Sequence, residues 1–375
     1  MLEGGGFSCV MRKIRILHAA DLHLDSPFES LNAEKAALRR REQRQLLMDI
    51  AALAREREAD LLLLAGDVLD GAAVYRETAD ALREALKAVP CPVFIAPGNH
   101  DYYTPTSLYA RETLGENIHI FKEDSLSCVE LPELGARVWG AAFTDTYAAF
   151  PADFRAEKRE DVLDIAVLHG TVGQPDSGYR PISEAALAES GFDYTALGHV
   201  HACSGLRRAG NGFYAWPGCP MGRGFDEVGE KGVLFVEAAP GDVSAEFVPL
   251  GARRYEILRV DVSESEDALS AVLSALPEDA ERHIFRILLT GEREYAPDLR
   301  ALQETLAGRC WQLQLRDETV LRRDIWEKAG EDTLQGLFLK KLREKYENAA
   351  PEERRRIMRA ARWGIQAFEN GEELG

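Results

Sequence analysis

A chain of 375 residues, 46% hydrophobic and 29% charged, is long enough for a large catalytic domain and one or two smaller units. No apolar run approaches the length of a membrane span, and a net charge of −18 argues against a surface that binds nucleic acid indiscriminately, though not against a local basic groove. The Gly-rich first ten residues lack the regions of a signal peptide, Met11 reads as a natural start, and six cysteines without a CxxC pair read as reduced thiols in a cytoplasmic protein.

Ile14–Ala19 reads as a short buried strand ending in Asp21-Leu22-His23. These two polar side chains, two apart, point the same way if the segment stays extended. Residues 38–58 have helical periodicity, with Leu46, Leu47, Ile50 and Leu53 on one face. Residues 61–65, four leucines and an alanine, read as a strand buried on both faces that delivers Gly66-Asp67 at its tip. A helix over 77–88 is stopped by Pro90 and Pro92. Residues 93–96 form the third strand, which runs into Pro97-Gly98-Asn99-His100-Asp101. The repeated strand–loop–helix order predicts a parallel sheet with its tips on one rim.

Residues 118–121, 127–130 and 138–142 look like antiparallel strands of a second sheet. Residues 165–168 form a buried strand ending in His169-Gly170. A helix over 183–190 precedes a strand over 194–197 that ends in Gly198-His199-Val200-His201. Strands over 213–216, 232–238 and 243–248 complete a two-sheet α/β sandwich spanning residues 12–250, with helices outside. Past a composition change at 249–254, a compact βαβαβ pattern occupies 254–320. The remaining 321–375 is a helical segment, with Leu334, Leu337, Leu339 and Leu342 in one helix and Ile357, Met358, Ala361 and Ile365 in a second.

The strand tips together carry Asp21, His23, Asp67, Asn99, His100, His169, His199 and His201. Imidazoles with carboxylates and an amide oxygen suit manganese, iron or zinc better than magnesium or calcium. The set has no thiolate, which argues against a closed structural zinc site; Cys203, two residues past His201, reads as a packed thiol. Seven ligands are too many for one ion and suit two, with the Asp67 carboxylate shared. Two such ions hold a phosphate oxygen and generate a hydroxide nucleophile. His100, next to Asn99, is the candidate general acid. Arg180 and Arg223 read as rim cations for substrate phosphate, and Tyr102, Tyr103 and Tyr179 lie in rim loops. The arginine runs at 39–41, 207–208, 253–254, 322–323 and 354–356 read as solvated faces.

The pattern DxH, GD, GNHD, HG and GHxH, in this order, resembles the calcineurin-like metallophosphoesterase superfamily. The run Asp21-Leu22-His23-Leu24-Asp25-Ser26-Pro27-Phe28, the later Pro217-Gly218 and Lys231-Gly232, and the trailing second unit resemble its DNA-repair exonuclease branch of SbcD and Mre type, most of all the YhaO-like bacterial proteins. The resemblance implies one metal held by Asp21, His23, Asp67 and His201, and a second held by Asp67, Asn99, His169 and His199, with His100 assisting the leaving group. It implies a manganese-dependent hydrolase cutting DNA phosphodiesters in repair or recombination, as a 3′–5′ exonuclease with single-strand endonuclease activity. Residues 254–320 would be a capping domain that positions DNA. Residues 321–375 would dock an SbcC-like or Rad-type coiled-coil ATPase, and a homodimer also fits; no membrane partner is implied. Ala20 stands where many relatives have Ser, and Cys219 where a small polar residue is common. The competing readings are a phosphomonoesterase or protein phosphatase with the same metal set, a cyclic-nucleotide phosphodiesterase, and a scaffold with a decayed site. The extra C-terminal unit argues against the first two, and the complete ligand set against the third.

Overall fold

The computed structural model describes residues 12–371, apart from Glu160, Glu264, Glu266, Glu294 and residues 322–324. Met11 and the pair Arg322-Arg323 lie outside the described residues. The chain divides into two compact units, Met1–Ile257 with Asp279–Arg286 and Gly308–Gln312, and Leu258–Glu278 with Ile287–Ala307 and Leu313–Gly375.

The first unit opens with β1 (Ile14–Ala19), β2 (Leu61–Leu64), β3 (Val93–Ile95), β4 (Ile118–Ile120), β5 (Ser127–Leu131), β6 (Ala136–Gly140) and β7 (Leu163–His169). It continues with β8 (Thr171–Val172), β9 (Pro181–Ile182), β10 (Tyr194–Gly198), β11 (Arg207–Ala209), β12 (Gly212–Ala215), β13 (Gly232–Ala239) and β14 (Asp242–Pro249). Its helices are α1 (Ala33–Glu56), α2 (Arg76–Ala88), α3 (Leu108–Arg111) and α4 (Glu184–Glu189).

Two six-stranded sheets result, ordered β14-β13-β1-β2-β3-β4 and β11-β12-β10-β7-β6-β5. In the first, β1 to β4 are parallel and β13 and β14 antiparallel. In the second, β12, β10, β7 and β6 are parallel, between antiparallel edges. Alternation along the strands builds the layers. Leu61 and Leu63 of β2 face inward onto Ile165, Val167 and Ala196 of the other sheet. Leu62 and Leu64 face outward onto Leu46, Leu47 and Ile50 of α1 and Leu82 and Leu86 of α2. The four-leucine run is buried throughout because both of its faces are covered.

Three expectations change. The strand at 118–120 is not an antiparallel member of the second sheet; it extends the first sheet in parallel with β3, with Ile118 opposite Val93 and Ile120 opposite Ile95. The chain from 96 to 117, including α3, is long enough for a parallel crossover. Helix α1 starts before 38 because the Asn32 side chain accepts from Lys35 N at 2.9 Å and caps it. Within α1, Arg39 is not a solvated residue: it is fully buried, donates to the Gly222 carbonyl at 2.8 Å and pairs with Glu42.

The remaining strands are β15 (Tyr255–Asp261), β16 (Ile284–Thr290), β17 (Glu292–Arg293), β18 (Gln312–Asp317) and β19 (Val320–Leu321). They form a sheet ordered β15-β16-β18 and a short β17–β19 pair. The later helices are α5 (Ala268–Ala275), α6 (Leu299–Thr305), α7 (Leu334–Glu347) and α8 (Pro351–Gly371). Leu339 of α7 and Ala361 of α8 are buried together, with Phe338, Leu342 and Ile365 around them, whereas Leu334, Leu337 and Trp363 are exposed. Among the described residues no helix is long and apolar enough to cross a membrane, and Cys91, Cys128, Cys203, Cys219 and Cys310 are free thiols.

Candidate metal centre

The parallel strands β1, β2, β3, β7 and β10 all deliver their C-terminal ends to one rim. Beyond the last β1–β2 pair the two chains stay together: Asp21 N donates to the Gly66 carbonyl at 3.0 Å and His23 N to the Asp67 carbonyl at 2.9 Å. Contrary to the expectation from its spacing, the Asp21–His23 stretch is not extended. Asp21, His23 and Asp67 have φ of 54°, 44° and 49°, in the left-handed region that non-glycine residues rarely occupy. Gly98 and Gly198 permit the remaining approach. A Cβ on Gly198 would collide with the Ala65 carbonyl oxygen, and one on Gly98 with the Asp67 carboxylate.

All seven predicted ligands converge. The ligand atoms of Asp21, His23 and His201 lie within 4.8 Å of one another, as do those of Asp67, His169 and His199, and those of His23, Asp67 and His100. Asn99 joins the second group, its Oδ1 being 3.0 Å from His169 Nε2 and 3.2 Å from His199 Nδ1. Asp67 lies between the groups: its Oδ2 is 3.7 Å from His23 Nε2 and 3.2 Å from His169 Nε2. Its other oxygen accepts from His100 N at 2.9 Å. Asp21 accepts from His199 N at 2.9 Å, so this carboxylate also ties the β1 and β10 tips together.

Two carboxylates, Asp70 and Glu227, escaped the motif reading, and a third, Asp101 of the GNHD motif, was given no role there. Asp70 holds His23 Nδ1 at 2.8 Å, and Glu227 holds His201 Nδ1 at 2.7 Å. Each ring therefore turns an Nε2 lone pair into the site, and these two nitrogens face each other at 3.2 Å. His169 Nδ1 donates to the Ala65 carbonyl at 2.9 Å, which turns its Nε2 toward Asp67 and Asn99 in the same way. A facing pair of lone pairs, with carboxylates beside them, is a donor set made for a cation. Asp101, fully buried, accepts from Gly98 N at 2.7 Å and from Val68 N at 2.8 Å, with further bonds from Asp67 N, Leu69 N and the Tyr109 hydroxyl. It fixes the loop that carries Asp67. The available signal for Asp70 and Asp101 was their position just after the ligands Asp67 and Asn99; Glu227 had none.

The electrostatics fit this arrangement. Burial penalises charge on Asp67, but His169 and His23 outweigh it and hold the carboxyl below its usual range. Burial likewise opposes charge on His169, yet Asp67 lifts its pKa to about 9. His199 falls to about 4 through burial and then through repulsion from His169.

His100 is the most exposed of the set, with 45% of its side chain accessible; its ring stands edge-on to His23 with centroids 4.7 Å apart. Arg223 sits at the rim as expected, Nη1 being 3.3 Å from Asp70 and Nη2 2.9 Å from Glu227. Arg180 does not. It is fully buried, donates to the Ala141 and Ala142 carbonyls at 2.9 and 2.6 Å, and lies 4.7 Å over the Phe143 ring. The free backbone carbonyls after β6 take this guanidinium inward, so it cannot meet a phosphate at the rim. Tyr179 stacks at a tilt on His199, with centroids 4.9 Å apart. Cys203 is not the packed thiol expected: it is exposed, and among the described residues it lies outside the ligand clusters, whereas Cys219 is buried against the His201 carbonyl.

The chain is similar to several known proteins. The chain is 28% identical over 349 residues to the uncharacterized metallophosphoesterase YhaO of Bacillus subtilis (strain 168), a match that covers 83% of each chain. It is 25% identical over 278 residues to the SbcD component of the nuclease SbcCD of the same organism, covering 61% of this chain and 67% of the relative. It is 25% identical over 293 residues to the DNA double-strand break repair protein Mre11 of Methanopyrus kandleri, covering 73% of this chain and 63% of that one. Residues 14–203, just over half of the chain, match the profile of the calcineurin-like phosphoesterases. The chain therefore belongs to the calcineurin-like phosphoesterase family.

Proposed function

We propose that this phosphoesterase cuts phosphodiester bonds of DNA at a centre of two divalent cations, manganese in the cell. Asp21, His23, Asp67 and His201 hold one ion, and Asp67, Asn99, His169 and His199 the other. The observation that carries the two-ion reading is the Asp67 carboxylate, whose Oδ2 lies between the two imidazole groups, 3.7 Å from His23 Nε2 and 3.2 Å from His169 Nε2. When bound, two such cations supply Lewis acidity to the phosphoryl group and lower the pKa of water. The protein's own groups do the rest. Asp70 and Glu227 fix the His23 and His201 rings. Arg223, at the rim, adds a cation for a non-bridging phosphate oxygen. His100, exposed and edge-on to His23, gives a proton to the leaving oxygen.

Support for DNA as the substrate comes from the similarity to a nuclease component and to a break-repair protein. The motif resemblance drawn from the sequence implies 3′–5′ exonucleolytic action with single-strand endonuclease activity. The exposed Leu334, Leu337 and Trp363 on α7 and α8 support the docking of a coiled-coil ATPase there. The test offers manganese-loaded protein linear duplex DNA, bis(p-nitrophenyl) phosphate and p-nitrophenyl phosphate. DNA and the diester should be cleaved in preference to the monoester. Fast monoester turnover with intact DNA would overturn the nuclease reading.

A further inference from the structure

Beside His100 lies a cavity of about 200 Å³ that none of the ligand chemistry uses. Leu69 and Leu108 give it apolar walls, Tyr102 an aromatic one, and Thr104 and Thr106 a hydroxyl edge. The two threonine hydroxyls are 3.2 Å apart and bonded to each other. Arg111, exposed and in the last turn of α3, also lines it. The wall next to the metal centre is rigid: Tyr109, buried, is tied by its hydroxyl to Asp101 at 2.5 Å, and Asp101 is tied to the Asp67 loop. The cavity is thus held at a fixed place relative to the group that would protonate the leaving oxygen.

We infer that this cavity binds the base of the nucleoside that bears the leaving oxygen, with Arg111 taking the 5′-phosphate of that nucleoside. A heterocyclic base has two apolar faces and a hydrogen-bonding edge, which matches leucine and tyrosine walls with threonine hydroxyls at one side. A phosphate one nucleoside away needs a cation at the mouth, and Arg111 supplies it. The inference rests on the proposed action on DNA, and it adds where the chain leaving the reaction is gripped. A small phosphomonoester would leave the cavity empty.

The test is binding, read without turnover. Deoxy-2-aminopurine 5′-monophosphate is titrated into manganese-loaded protein and its fluorescence followed. Saturable quenching is expected. Arg111→Ala should weaken it about tenfold, the scale of one charge-assisted contact, and Leu108→Trp, which fills the cavity, should remove it. Tyr102→Leu serves as a second, milder variant: it keeps the wall apolar and should reduce the quenching at saturation. Quenching that never saturates, or an affinity unchanged in all three variants, would overturn the assignment. DNA cleavage that persists with no nucleotide binding would overturn the cavity and leave the nuclease reading standing. Binding as described with no DNA cleavage would do the reverse.

Discussion

His23 and His201 face each other through their Nε2 atoms at 3.2 Å while a carboxylate holds the far side of each ring, Asp70 at 2.8 Å and Glu227 at 2.7 Å. Glu227 is held well below the usual carboxylate range: burial works against its charge, but His201 and Arg223 outweigh it. Glu227→Gln should therefore free the His201 ring and weaken one metal affinity by about ten- to hundredfold, the usual effect of losing such a partner. The other affinity should move little, because the Asp67, Asn99, His169 and His199 group shares no contact with Glu227. Calorimetric titration of chelator-stripped protein with manganese reads both. Two equal losses, or none, would contradict the separate roles of the two groups.

His100 is assigned a proton donation, and that role depends on the leaving group. His100→Gln should lose about a hundredfold or more on DNA, whose leaving oxygen is a poor one. The loss should be small with bis(p-nitrophenyl) phosphate, whose leaving group needs no proton. An equal loss on both substrates would make His100 a binding or metal-positioning group instead.

Asp101 receives donors on both oxygens, Gly98 N and Asp67 N on one, Val68 N, Leu69 N and the Tyr109 hydroxyl on the other. Asp101→Ala would orphan buried amides and should cost about 3 kcal/mol or more. Asp101→Asn is not a rescue, since its NH2 must point at a donor whichever way it turns. Denaturant titration of the metal-free protein checks both. A change within about 0.5 kcal/mol, ordinary for a surface site, would show that the loop is fixed by something else.

His18 lies fully buried in β1, its Nδ1 2.8 Å from the Tyr194 hydroxyl. Burial lowers its pKa from 6.5 to about 3. Between these values the unfolded chain binds the proton and the folded one does not, so stability rises with pH. The His18 contribution is complete above pH 6.5 and is lost progressively as pH falls toward 3. At pH 5 the loss is about 2 kcal/mol. His18→Gln should remove this part of the acid slope, read as the pH 7 to pH 5 change in unfolding free energy of metal-free protein. Identical slopes would show that His18 has no part in the acid response.

The convergence of these side chains was legible because they follow apolar strands that the sequence cannot hide: the leucines of 61–64 face both layers, and the Asp67 carboxylate comes next. Asp70 and Glu227 were less legible for a physical reason. They contact imidazoles from other segments, at sequence separations of 47 and 26, and no local period marks such a pair. Arg180 shows the opposite failure. Its loop position is polar in sequence, but the carbonyls left open after β6 draw the side chain inward. The sheet membership of Ile118–Ile120 was missed because short strands close in sequence suggest hairpins, whereas pairing here is set by the crossover through α3.

The close approaches at Gly98 and Gly198 bear on how this centre can be re-engineered. At Gly198 main chain meets main chain, at Gly98 it meets Asp67 through both carboxylate and amide, and both positions exclude every side chain. His169 is restricted as well, buried against Gly66 and bonded to the Ala65 carbonyl, and His199 holds φ at 95°. Redesign of metal preference is therefore best begun at Asn99, by exchanging its amide for a carboxylate or an imidazole. The two glycines belong to the part of the molecule that a library should leave untouched.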